Sequence, residues 1–150
     1  MKKNIKYIIN IFIIGLVVFL VNKFLIQICF VQGDSMYPNL KNGEMLFIKK
    51  FDLKYNYNDI VIIKKKDKTI IKRIVGLPKD SIKIDNYLYI NGEKRDDIYI
   101  ENPGDIKNEI LLNENEFFVL GDNIQHSIDS RFNEIGIISK NEIIGKIINK

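Results

Sequence analysis

Few side chains in this 150-residue sequence could serve as a nucleophile or as a base. Ser35 lies in GDSMYPNL (33–40), whose glycine, aspartate, serine and proline are also the ordinary vocabulary of a turn. A serine nucleophile needs a base, and the options are narrow. His126 is the only histidine, so a Ser-His-Asp arrangement would have to draw on QHSIDS (125–130). The alternative is a lysine, which accepts a proton only when it is neutral. At an unperturbed pKa of about 10.4, only about 0.04% of a lysine is neutral at pH 7. Lowering that pKa by about 3 units costs about 4 kcal/mol and needs desolvation more than a charged partner.

Lys72 has the local sequence that best meets this demand. If TIIKRIV (69–75) is a strand, alternation puts Lys72 on one face with Ile70 and Ile74, and Arg73 on the other with Ile71 and Val75. One of the two cations must then enter apolar surroundings or lie at an edge. Lysine tolerates burial by shedding its proton, and arginine does not. Periodicity alone leaves open an edge position with the ammonium in water. Lys64, Lys65, Lys66 and Lys68 crowd IIKKKDK (62–68), which reads as a solvated hairpin tip. A pairing of Cys29 with His126 is conceivable, yet Cys29 sits in IQICFV among apolar neighbours, where a thiol is usually a small packed hydrophobe. One cysteine and one histidine are too few for a zinc site or an intrachain disulfide.

The elements that must carry these residues are mostly short strands. EMLFIKK (44–50), DIVIIKK (59–65), TIIKRIV (69–75), SIKI (81–84), YLYI (87–90), EFFVL (116–120) and EIIGKII (142–148) are rich in β-branched and aromatic residues. Turn signals such as KNG, LPKD, NGE, NPGD and GDN separate them. The expected fold is a mainly β, antiparallel domain preceded by one helix.

That helix is the apolar N-terminus. YIINIFIIGLVVFLV (7–21), continued by FLIQICFV (24–31), supplies roughly the 20 residues a bilayer crossing needs. A cleaved signal peptide would end in small residues, and the chain contains no alanine, so an uncleaved anchor is expected. Lys2, Lys3 and Lys6 should hold the N-terminus in the cytoplasm. The division is then 1–6 cytoplasmic, 7–26 transmembrane and 27–150 an extracytoplasmic β domain. The formal charge of +4 lies in the first 23 residues, because the other 19 of the 23 basic side chains are matched by 19 acids. That balance argues against nucleic-acid binding, which needs clustered cations.

Taken together, GDSMYPNL (33–40), NDIVIIKK (58–65), IKRIVGLPKD (71–80) and GDNIQHSIDSR (121–131) resemble, in order, four boxes of the bacterial type I signal peptidases, in a short, Gram-positive-like form. These are membrane-anchored Ser-Lys endopeptidases of peptidase family S26, with an antiparallel β fold shared with LexA-like self-cleaving regulators. The similarity continues through IGIISKNEIIGKI (135–147) and back to the anchor.

The resemblance implies that Ser35 attacks the scissile carbonyl, that Lys72 is the general base, and that the Ser127 hydroxyl hydrogen-bonds and orients the lysine amine. It implies a structural ion pair of Asp129 with Arg131, with Asp122 beside the site. It places Val31, Met36, Ile62 and Ile71 along apolar pockets that accept small side chains before the cut. The Ser35 N–H should help form the oxyanion hole. Some members add a serine hydroxyl two residues before the nucleophile, where this chain has Gly33. The substrates implied are signal-peptide-bearing preproteins at the outer face of the membrane, close to the secretion translocase, with no metal or cofactor. The rivals are a dyad-less assembly module of related sequence and a self-cleaving regulator. Retention of both Ser35 and Lys72 argues against the first, and the membrane segment in place of a DNA-binding domain against the second.

Overall fold

A computed structural model describes residues 2–24, 26–51 and 53–149. Helix α1 (Lys2–Phe24) leads into β1 (Ile26–Phe30), followed by β2 (Met45–Lys49), β3 (Ile60–Lys65), β4 (Lys68–Gly76), β5 (Ser81–Ile84), β6 (Tyr87–Ile90), β7 (Glu93–Tyr99), β8 (Ile110–Leu111), β9 (Glu116–Leu120), β10 (Ile138–Ser139) and β11 (Ile143–Ile147). A seven-stranded sheet has the order β1-β2-β11-β3-β4-β9-β10, and a four-stranded sheet the order β7-β6-β5-β8. Every pairing described is antiparallel.

The apolar run at the N-terminus divides differently from the sequence reading. The helix ends at Phe24, and IQICF, read above as its continuation, is strand β1 paired along β2 from Ile26↔Lys49 to Phe30↔Met45. The reason is alternation: Ile28 and Phe30 point outward, while Cys29 packs inward against a cluster that includes Val31, Leu46 and Ile48. All of α1 from residue 5 to 20 is exposed, including Ile8, Ile11, Phe12 and Ile14. Among the described residues no helix is long and apolar enough to cross a membrane. The expected span over 7–26 includes Leu25, which lies outside the described residues.

The central strands are buried on both faces, so they read as continuous apolar runs rather than alternating ones. In β3, Ile60 and Ile62 join the cluster under β1 and β2, while Val61 and Ile63 join a second one with Ile74, Phe117 and Val119. In β9, Phe117 and Val119 belong to that second cluster, and Phe118 and Leu120 reach a third with Ile82, Leu88 and Ile90 of the small sheet. The tip of the β3–β4 hairpin is Lys66 and Asp67, with Lys66 at φ 53°, as the basic run suggested. Asn91 and Gly92 at φ 53° and 82° close the β6–β7 hairpin, a two-residue turn that demands positive φ at both positions.

The two sheets meet at Gly76, where the register of β4 against β9 shifts. A Cβ there would lie 2.7 Å from Ile82 Cδ1 and 2.9 Å from Phe118 Cβ. Gly76→Ala therefore forces the sheets apart, and we expect a loss of about 1–3 kcal/mol in chemical unfolding. An unchanged midpoint would show that this contact yields without strain.

Candidate active site

The nucleophile candidate sits on a turn anchored from below. Met36 and Leu40 are buried in the cluster under β1 and β2, and Leu40 N–H donates to the Met36 carbonyl at 2.9 Å. Tyr37 N–H closes the turn on the Asp34 carbonyl at 3.1 Å, leaving Ser35 half-buried above. Gly33 opens the turn at φ 83°, its N–H donating to Asn42 Oδ1 at 3.1 Å. Nothing lies within 4 Å of where a Gly33 Cβ would be, so it is the left-handed backbone, not crowding, that favours glycine.

Ser35 and Lys72 open onto one groove of about 320 Å³. Val31, Met36, Ile62 and Ile71 line the same groove, and all four also pack in or against the core. Gln27, Cys29, Ile48, Lys50 and Ile144 extend it, positions that sequence reasoning did not assign. Cys29 is partly buried, and burial pushes its thiol pKa up, in keeping with a packed hydrophobe.

Lys72 is only 3% exposed, opposite Val61 in β3, so the edge alternative does not apply. Burial pulls its pKa below that of a free lysine. The field of Asp129 opposes this, that of Arg131 reinforces it, and that of Asp122 opposes it more weakly. Arg73 is paired: its Nε and one terminal nitrogen donate to the two Asp122 oxygens at 2.7 and 2.6 Å, and Asp122 also accepts from Asn39 Nδ2 at 2.8 Å.

Behind the lysine, Asp129 and Arg131 form a pair with essentially no solvent exposure. Arg131 Nε donates to Asp129 Oδ1 at 2.8 Å and a terminal nitrogen to Oδ2 at 3.0 Å. Its remaining donors reach the carbonyls of Asn102, Ile124 and Ser127 at 3.0, 2.7 and 3.1 Å. Residues 127, 129 and 131 are buried while Ile128 is 54% exposed, although Ser130 is buried too. Ser130 completes β9 like a missing strand: its N–H donates to the Val119 carbonyl at 3.1 Å and its Oγ accepts from Val119 N–H at 3.0 Å.

Ser127 differs from the expectation. Its Oγ is buried without a hydrogen-bond partner, so the expected bond to the Lys72 amine is not formed in this structure. The side chain is packed beside Gly121, where an added Cβ would strike Ser127 Oγ and stand 2.5 Å from the Ser35 carbonyl oxygen. His126 is exposed, its Nδ1 lies 3.2 Å from Asn123 Oδ1, and it is not among the residues that line the groove of Ser35 and Lys72. Among the described residues no three His, Cys, Asp or Glu side chains gather as a metal-holding group.

The profile of one family, described as signal peptidase, peptidase S26, matches residues 4–149. The chain belongs to the S26 signal peptidase family. Signal peptidase I P of Bacillus subtilis subsp. natto is 38% identical over 96% of this chain and 87% of its own length. Signal peptidase I S of Bacillus subtilis (strain 168) is 35% identical over 84% of this chain and 77% of its own length. Signal peptidase I of Bacillus licheniformis is 38% identical over 84% of this chain and 76% of its own length.

Two substitutions probe the geometry of this S26 site. Gly121→Ala inserts a methyl group between the Ser35 carbonyl and the Ser127 side chain, and we expect a loss of about 100-fold or more in cleavage rate with the fold retained by circular dichroism. Asp129→Ala strands the Arg131 guanidinium, and denaturant titration should show a loss of about 3–5 kcal/mol.

Proposed function

We propose that this signal peptidase is a single-pass membrane serine endopeptidase that cuts signal peptides from exported preproteins after a small-x-small motif, with Ser35 as nucleophile and Lys72 as general base. The observation that carries the assignment is the single groove onto which Ser35 and the almost fully buried Lys72 both open.

The chemistry follows from the environment. A neutral Lys72 amine takes the Ser35 hydroxyl proton as Oγ attacks the scissile carbonyl. The Ser35 N–H receives the developing oxyanion, an interaction worth about 3–4 kcal/mol per donor. Collapse passes the proton from Lys72 to the leaving amine, freeing the mature protein. Lys72 then activates the water that hydrolyses the acyl-enzyme. Ser127 is proposed as the hydroxyl that hydrogen-bonds the lysine amine once substrate closes the groove, since catalytic bonds often tighten only in the complex. Asp129, Arg131 and Asp122 hold the wall behind the amine.

An extended substrate fits the free edge of β4. That strand pairs with β3 from Lys68 to Arg73, whereas among the described residues it meets β9 only through Arg73, Ile74 and Gly76. Residues 69–71 thus present main-chain groups to the groove, opposite 31–33. A peptide laid there as an added strand gains main-chain bonds, and its alternate side chains point into the apolar wall. In this reading Val31, Met36, Ile62 and Ile71 form that wall and select alanine-like residues by excluding larger ones.

In this reading the apolar run within α1 is the anchor, because large apolar side chains such as Ile8, Ile11, Phe12 and Ile14 are exposed along it and a bilayer would bury them. Lys2, Lys3 and Lys6 keep its start in the cytoplasm and the β domain outside, near the secretion translocase. Ser35 then lies close to the bilayer surface, where a signal peptide's own apolar segment ends.

Liposomes carrying the full chain should cut a preprotein bearing a small-x-small site, and Ser35→Ala and Lys72→Met should each abolish cutting. Undiminished cleavage by either variant would refute the dyad, and an inactive wild type across many preproteins would favour an assembly module. The rate should rise with pH through an apparent pKa below 10.5, the unperturbed lysine value. Stability carries the matching sign. The native state sheds the Lys72 proton at lower pH than the unfolded chain, so burial is most destabilising below the native pKa and is relieved as pH rises toward 10.5. Lys72→Met should therefore raise the Tm near neutral pH, by an amount that shrinks in alkaline buffer.

A further inference from the structure

Asn123 makes two hydrogen bonds to the nucleophile turn, and they reach consecutive carbonyls. Its side-chain Nδ2 donates to the Asp34 oxygen at 3.1 Å, and its main-chain N–H donates to the Ser35 oxygen at 3.0 Å. One residue far along the chain thus grips the two peptide planes that flank the Ser35 Cα.

The first grip has a chemical consequence. The Asp34 carbonyl and the Ser35 N–H belong to the same planar trans peptide and point in opposite directions. Holding the oxygen from behind therefore aims the N–H, and a donor on the carbonyl also polarises the N–H at the other end of the same group. That N–H carries more of the load here than in a site with a hydroxyl two residues earlier, because Gly33 at φ 83° has no side chain to offer. The Asn123 amide is itself oriented, since its Oδ1 faces His126 Nδ1 at 3.2 Å and so leaves Nδ2 for Asp34.

We propose that Asn123 is a positioning residue that aims the Ser35 N–H as the oxyanion donor. The inference rests on Ser35 being the nucleophile. Asn123 touches neither substrate nor reacting atoms in this role, acting only through the Asp34–Ser35 peptide. The Asp34 oxygen also accepts from Tyr37 N–H at 3.1 Å, so loss of the amide leaves that carbonyl satisfied and the turn closed.

Steady-state kinetics of the full-length chain in detergent micelles, with a small-x-small signal-peptide substrate, test the assignment. Both Asn123→Ala and Asn123→Asp keep the main-chain bond to Ser35, so they isolate the side-chain bond. For Asn123→Ala we expect kcat to fall about five- to tenfold, the scale of one partly exposed hydrogen bond and well short of losing an oxyanion donor outright. KM should stay within about twofold. Asn123→Asp, which is isosteric and turns an acceptor toward the Asp34 carbonyl, should fall further. A peptide aldehyde, which forms a tetrahedral adduct on serine, should bind more weakly by the same factor as kcat. An uncleavable peptide of the same sequence should bind as before.

Unchanged kcat in both variants overturns the proposal. So does a rise in KM alone, or equal weakening of aldehyde and uncleavable peptide, since either would make Asn123 a substrate contact. Thermal unfolding of both variants identifies a fold defect, and should Asn123→Ala not fold, the isosteric Asn123→Asp decides. Ser35→Ala is assayed in parallel: cleavage that survives it refutes the nucleophile assignment, while a dead Ser35→Ala beside a fully active Asn123→Ala refutes the positioning role alone.

Discussion

For Lys72 to act as the proposed base, its amine must stay dry and uncharged, and that is the constraint on which the rest of the site depends. Lys72 lies on β4 opposite Val61 of β3 and is only 3% exposed although it borders the groove, so packing against the sheet removes most of its water. The neighbouring charges are arranged so as not to undo this. Arg73, next in sequence, is turned to the opposite face and satisfied by Asp122. Arg131 engages both oxygens of Asp129 and three carbonyls besides. Lys72 therefore feels a paired carboxylate whose field the guanidinium partly offsets, and desolvation dominates.

The proposed nucleophile, Ser35, is held by a different set of contacts that converges on the same place. Met36 and Leu40 anchor the turn from below, Gly33 supplies its left-handed entry, and Gly121 admits the Ser35 carbonyl and the Ser127 side chain to close approach. Residues 121–131 thus serve both halves of the site. Their first part packs against the Ser35 turn, and their last part forms the ion pair behind Lys72.

Much of this was legible in the sequence, for identifiable reasons. SIKI, YLYI and EFFVL are strands with the expected ends because β-branched and aromatic residues there are punctuated by turn residues. Strand β1 was hidden, since an unbroken apolar run does not distinguish helix from strand by periodicity. Strand β7, EKRDDIY, was missed because charge on both faces erases the alternation. In the site, lysine beside arginine on an apolar strand made Lys72 the best-placed candidate base but left an edge position open, and the burial of Lys72 against β3 is a tertiary fact. Gly121, Asn123 and Ser130 were not visible, because each acts through main-chain groups distant in sequence, where side-chain type carries little information.

The most direct test of a dry, neutral lysine is the ionisation of Lys72 itself. ¹⁵N NMR titration of the lysine amines in the micelle-bound chain, with the Lys72 signal assigned by its loss in Lys72→Met, should give an apparent pKa below 10.5. A Lys72 amine that titrates at or above 10.5 in an actively cleaving sample would contradict the account.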